Sequence, residues 1–134
     1  MKFIQINTVF LLIFNVFTTS CQSDFDKRLQ QEALNFTANN CPQEPEPGTR
    51  LDSLTYHPKT RIYTLHYSVS KNNETILREQ TPLLHHILRK RLIDDVSYKD
   101  IKEHGVTFVY EYRSQQTGSI FYKTEIRKEE YLYK

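Results

Sequence analysis

The side chains in this chain that could do chemistry are few and scattered. Cys41, followed by Pro42, is the only thiol in the body of the chain. A nucleophilic cysteine needs a nearby cation or a helix start to hold its thiolate. Cys41 instead follows a stretch of helical pattern, where the dipole opposes ionisation, so it reads as a small structural residue or one half of a disulfide. Five histidines, His57, His66, His85, His86 and His104, raise the question of a metal. Ligand pairs need a spacing of three or four on a helix, or two on a strand. His85 and His86 are neighbours that point about 100° apart on a helix, and the others are widely separated, so neither metal nor cofactor is expected. Asp52-Ser53 puts a carboxylate beside a hydroxyl, but no histidine stands in a fixed sequence relation to them, and a triad is defined by geometry. The simpler reading pairs Arg50 with Asp52 along one strand. Arg89-Lys90-Arg91 fans around a helix and is soon followed by Asp94-Asp95, which describes a solvated face rather than a nucleic-acid surface. No catalytic residue is assigned, and the chain is not expected to be an enzyme.

The second cysteine has a different setting. Residues 1–20 have the three parts of an export leader: Lys2 as the charged start, an apolar stretch from Val9 to Phe17 broken by Asn15, and small Thr18-Thr19-Ser20 before Cys21. A membrane span needs about 20 apolar residues, so this stretch is a signal and not an anchor. A cysteine directly after such a leader resembles a bacterial lipobox, in which the thiol is acylated and the chain is cut before it. Thr18 stands where an aliphatic residue is usual, and Gln22-Ser23-Asp24 follows as a short polar and acidic signal. Both features resemble lipoproteins of the Bacteroides group. The expectation is a signal peptide over residues 1–20 and a single domain over 21–134. That domain would be exported and lipid-anchored by Cys21 at the outer membrane or cell surface. The alternative is a plain cleaved signal, with Cys21 free to pair with Cys41.

Charge adds little. The chain has 18 basic and 16 acidic residues, and only Lys2 leaves with the leader. Nucleic-acid binding needs a basic field, which this balance does not supply. Nine Tyr and eight Phe with no Trp suit half-buried strands. A helix is predicted over 24–40, with Ser23 as cap and Phe25, Leu29, Ala33 and Phe36 as its apolar stripe, widened by Leu34. The Pro-rich stretch 41–48 reads as a stiff connection. Strands follow at 50–57 and 61–69, joined by a turn at His57-Pro58-Lys59-Thr60. Thr81-Pro82 marks the start of a second helix over 81–94, a short helical turn follows near 98–103, and a second hairpin uses 106–113 and 118–126. The tail from Arg127 is frayed or extends the last strand. The αββαββ order predicts an α+β two-layer domain: a four-stranded, largely antiparallel sheet with two helices on one face. Leu65, Tyr67, Leu84, Leu88, Phe108 and Tyr110 are expected in the core. Thr64, His66, Val109 and Phe121 are expected on the opposite sheet face, open to a partner.

Asn39-Asn40-Cys41-Pro42, then Gly48-Thr49-Arg50-Leu51-Asp52-Ser53 and the strand Tyr63-x-Leu65-x-Tyr67, resemble a set of small uncharacterised bacterial exported proteins. The resemblance is most specific over residues 38–69. It implies an α+β domain, with no established activity and no catalytic residues to carry over. Three function classes follow: a membrane-tethered, non-enzymatic interaction module, an inhibitor or immunity-type protein masking a toxin or hydrolase, and a small hydrolase. The first fits best, with a membrane and a protein as partners.

Overall fold

In the computed structural model of the chain, which describes residues 23–132, ten elements follow one another. They are α1 (Asp24–Asn40), β1 (Gln43–Glu46), β2 (Thr49–His57), β3 (Ile62–Val69), α2 (Lys71–Asp94), a 3₁₀ turn (Val96–Tyr98), α3 (Lys99–Glu103), β4 (Thr107–Ser114), β5 (Ile120–Ile126) and α4 (Lys128–Leu132). The strands form one five-stranded sheet in the order β1-β2-β3-β4-β5. All pairings are antiparallel except β3–β4, which is parallel. The fold is therefore two-layer α+β, with one strand more than expected and a mixed sheet.

The parallel pair has a simple cause. At 1.5 Å per residue, the 24 residues of α2 carry the chain about 36 Å back along the sheet. β4 therefore starts level with the start of β3, as a helical crossover requires. A helix starting at Thr81 would be too short to impose this. The structure instead starts α2 at Lys71, behind Ser70 as cap, and takes Pro82 into its interior. An interior proline costs about 3 kcal/mol. Leu84, Leu88 and Leu92 are each at most 3% exposed against the sheet, and burying each is favourable by roughly 1.5–3 kcal/mol, so packing outweighs the proline. The added turns are also tied down. Asn73 Nδ2 donates to the Pro47 carbonyl at 2.8 Å and to Thr49 Oγ1 at 3.1 Å, and Ser114 Oγ donates to Glu74 Oε2 at 2.8 Å. Gly48, at φ +82°, lies under this contact, where a Cβ would come within 2.7 Å of Asn73 Nδ2 and Ser70 Oγ.

One sheet face carries Leu54, Tyr56, Tyr63, Leu65, Phe108 and Tyr110, and all four helices pack on it. Leu29 and Ala33 place α1 over β2. Thr37 Oγ1 accepts from Leu54 N at 2.9 Å and donates to Leu54 O at 3.0 Å, closing the edge of β2 beyond the short β1. His85 places α2 near β5 through Thr124 Oγ1 at 2.6 Å. The six expected core residues lie on this face or, for Leu84 and Leu88, on α2 against it, with Tyr67 only partly buried. Leu34, expected to widen the α1 stripe, is instead 56% exposed. β1 corrects the reading of 41–48 as a connection. Its four residues are all exposed, so no alternation marks them, and Pro45 is tolerated because β1 is an edge. The tail is a helix, pinned by buried Tyr131, whose Oη donates to Val106 O at 2.5 Å.

Candidate functional site

α1 lies over β2 and α2 over the β4–β5 side, which leaves part of β3 and β4 between them as the floor of a groove. Its cavity volume is about 740 Å³. One wall is α2 from Asn73 to Asp95, a length of about 33 Å at the helical rise. The other wall is the Pro45–Pro47 turn, and the floor is Leu65, Tyr67, Tyr110 and Tyr112, with Tyr98 at the far end. Arg91 Nη1 reaches 3.8 Å from Glu46 Oε1 across the mouth, and both side chains are exposed. The apolar character continues onto the rim, where Ile76 is 50% and Leu83 63% exposed. Val96, 85% exposed, stands beside Asp95 at the far end.

The floor has polar tips as well as apolar bodies. Tyr67 and Tyr112 stack with ring centroids 5.0 Å apart. Burial pushes the Tyr112 hydroxyl up to about 12, and burial followed by the nearby Asp95 does the same at Tyr98. Burial, then the neighbouring tyrosines, raises Tyr67 and Tyr110 as well. All four therefore stay as neutral O–H groups at physiological pH. Elsewhere Tyr56 and Tyr131 are hydrogen-bonded, but the four groove hydroxyls have no partner among the described residues. They are not sealed from solvent either, since the sealed, unpartnered side-chain atoms are Arg61 Nε and Ser68 Oγ. The groove thus combines aliphatic walls with a row of hydrogen-bond donors, the composition of a recognition site.

The expected partner face comes out differently. Thr64, His66 and Val109 do share the sheet face away from the helices. Phe121 is not with them: a bulge beside Tyr112 and Arg113 shifts β5, and the Phe121 ring lies 4.9 Å from the Arg78 guanidinium of α2. Thr64, Val109 and Glu111 are buried, and His66 belongs to a relay. Thr55 Oγ1 lies 2.8 Å from His66 Nε2, and His66 Nδ1 lies 3.0 Å from the acceptor Glu111 Oε1. That is the hydroxyl–imidazole–carboxylate order of a hydrolytic triad. The relay lies in a regular strand ladder on the face away from the groove, and the neighbouring Leu54 amide is already taken by Thr37. A hydrolase also needs free donors aimed at a developing oxyanion, and nothing in the ladder supplies them. The relay therefore reads as a satisfied polar stripe. Sequence reasoning missed it because Thr55, His66 and Glu111 meet only through the parallel β3–β4 register.

The remaining candidates fall apart spatially. Arg50 Nε pairs with Asp52 Oδ1 at 2.6 Å, as the sequence suggests, and no imidazole joins them. Burial, then the charge of Asp52, raises the half-buried Cys41 thiol, the opposite of activation. His85 bonds Thr124 and Glu130, and His104 stacks on Phe25 at 3.6 Å. Among the described residues, no three His, Cys, Asp or Glu side chains could hold a metal ion, and no helix is long and apolar enough to cross a membrane. Cys21 and the leader lie outside the described residues.

Fold and groove together define a class: a small α+β domain with the helices of its described residues on one side of a mixed five-stranded sheet and an apolar groove beside the longest. The chain belongs to a family described as a domain of unknown function (DUF8479), whose profile matches residues 24–122. No curated protein matches it. Among solved structures, it is similar to a Pseudomonas aeruginosa protein described as secreted. The TM-score is 0.69 at 14% identity, over 83% of this chain and 97% of that one. It is also similar to a pilotin from the Vibrio vulnificus type 2 secretion system, with a TM-score of 0.53 at 10% identity, over 78% of this chain and 93% of that one. At these identities the likeness is one of fold.

Proposed function

We propose that this chain is an exported, non-enzymatic interaction module, tethered to a membrane through acylated Cys21, that takes an apolar helical segment of a partner protein into the groove beside α2. The groove itself carries the reading. It follows α2 for about 33 Å, and exposed Ile76 on its lining and exposed Leu83 beside it extend its apolar surface. An amphipathic helix laid beside α2 would bury that stripe, in the helix-in-groove mode of recognition. Large exposed apolar side chains next to a groove mark such surfaces. Fold likeness to a secreted protein and to a secretion-system pilotin supports an accessory role outside the cytoplasm. The leader and Cys21 support the tether.

Two experiments test this. A photo-crosslinking residue at Gln80 or Ile87 in living cells should give one discrete protein adduct, and Leu77→Arg, which projects a charge into the groove, should abolish it. Equal adducts from the exposed Thr75, on the opposite side of α2, would overturn the groove assignment. Cys21→Ser should move the protein out of the membrane fraction or block its processing. Identical fractionation of variant and wild type would remove the tether.

A further inference from the structure

The two edges of the sheet are built differently. At one edge, β1 is four residues long, contains Pro45, pairs irregularly with β2, and gives way to α1 through Thr37. Short strands, proline and an overlying helix are the devices that stop a sheet edge from recruiting another strand. β5, at the other edge, is neither short nor broken by proline, and α2, which lies over its face through His85 and Thr124, makes no bond to its outer backbone among the described residues. The strand runs seven residues without proline or glycine, and nothing among the described residues pairs with its outer side. Its exposed charges are Lys123 and Glu125, two residues apart on the face away from the helices, with Ile120 exposed near its start.

A row of lysines would close such an edge by repulsion. Lys123 and Glu125 instead select one pairing. In an antiparallel pairing with a second copy centred on Thr124, each Lys123 stands opposite Glu125 of the other copy, so the two pairs form by symmetry. A parallel in-register pairing puts Lys123 beside Lys123, as does an antiparallel one centred on residue 123, and both are disfavoured by cross-strand like charge. Within one copy, Lys123 lies opposite Glu111 and Glu125 has Arg127 at 3.3 Å, so neither charge is left bare before association. Arg78 and Arg89, the cations α2 carries on the β5 side, are held by Glu74 and by the Glu130 carbonyl of their own copy. We infer that β5 is a self-association edge, on which two copies pair antiparallel about Thr124 into one continuous ten-stranded sheet. The isologous contact closes on itself and ends the assembly at two. The groove lies on the other side of α2 and stays open in both copies. An edge contact this narrow falls below the usual area of a permanent interface, so the association is weak and reversible.

The test is a charge-reversal cycle on the purified full-length chain in neutral detergent, read by sedimentation equilibrium over a wide concentration range. The wild type should show a reversible monomer–dimer equilibrium that weakens with salt. Lys123→Glu and Glu125→Lys should each weaken it about tenfold or more, since each turns two attractive pairs into repulsive ones. The double reversal should restore it to within a few-fold. A cooperative thermal melt of each variant would show that it folds, lowered somewhat where Lys123→Glu faces Glu111 and Glu125→Lys faces Arg127 within one copy. A strictly monomeric wild type overturns the proposal. So do single reversals that dimerise like the wild type, or a double reversal that does not recover.

Discussion

Tyr56→Phe removes a single hydroxyl from the cluster that seats the start of α1. Tyr56 is 3% exposed, and its Oη donates to Asp26 Oδ1 at 2.5 Å. Ser23 Oγ donates to the other carboxylate oxygen at 2.7 Å and accepts the Asp26 N–H at 3.2 Å, capping the helix. Arg61 Nε lies 3.4 Å from Oδ1. A hydrogen bond to a charged group contributes about 1.5–3 kcal/mol. The substitution should fall toward the lower end of that range, because Ser23 and Arg61 still hold the carboxylate. Asp26→Asn should cost a similar amount. The double variant should cost less than the two together, with a coupling of about 0.5–3 kcal/mol. Burial pushes the Asp26 carboxyl up, but Ser23, Tyr56 and Arg61 outweigh it and hold the group below its ordinary value. A carboxylate depressed in the folded state gives its full stabilisation above its unfolded pKa of about 3.9. That stabilisation is lost as pH falls through the folded value. The wild type should therefore weaken more steeply than Asp26→Asn below about pH 4. Urea titrations at pH 7 and pH 3, followed by circular dichroism, measure both effects. A Tyr56→Phe change under about 0.5 kcal/mol, the scatter of neutral surface substitutions, would refute the reasoning. So would an Asp26→Asn protein with the wild-type acid slope.

Two further outcomes are expected. Cys41, its thiol raised by burial and by Asp52, should be alkylated at pH 7.5 at least about tenfold more slowly in the folded chain than in urea; peptide mass spectrometry resolves it from Cys21, and equal rates would contradict a structural role. Tyr131→Phe leaves the Val106 carbonyl without its 2.5 Å partner and should lower the urea midpoint by the equivalent of about 1–3 kcal/mol; an unchanged midpoint would mean that this hydrogen bond does not hold α4 in place.

How much of this was legible in the sequence depends on whether a residue's role is local. Ser23, the Leu29–Ala33 stripe and the alternation of Tyr63, Leu65 and Tyr67 announce α1 and β3 because caps and periodicity act within one element. The Arg50–Asp52 pair is local in the same sense. β1 has no periodicity, since none of its residues is buried, and exists only because β2 offers an edge. α4 depends on long-range contacts, Tyr131 to Val106 and Glu130 to His85 and Arg89. Thr55, His66 and Glu111 come from three strands, and Phe121 changes sides because of a bulge. No local pattern encodes a register.

The groove is a different case, because its signal was present but masked by the misplaced start of α2. A helix that packs one face on a sheet needs an apolar stripe of about 100°. Leu84, Leu88 and Leu92 already supply it, and they are the buried residues of α2. At 100° per residue, Leu83, Ile76 and Ile87 widen the apolar arc to about 180°. If the helix begins at Thr81, Ile76 and Leu77 fall outside it, and the surplus shrinks to a leucine or two that any core could absorb. If it begins at Lys71, the surplus runs for most of the helix and needs a second surface to cover it. The sheet cannot be that surface, because Leu84, Leu88 and Leu92 already occupy it. Nor does α1, which sits over β2 and lines no part of the groove. Under the function proposed above that surface belongs to a partner, and the width of the apolar arc on α2, measured from its true first residue, is the sequence feature that points to the groove.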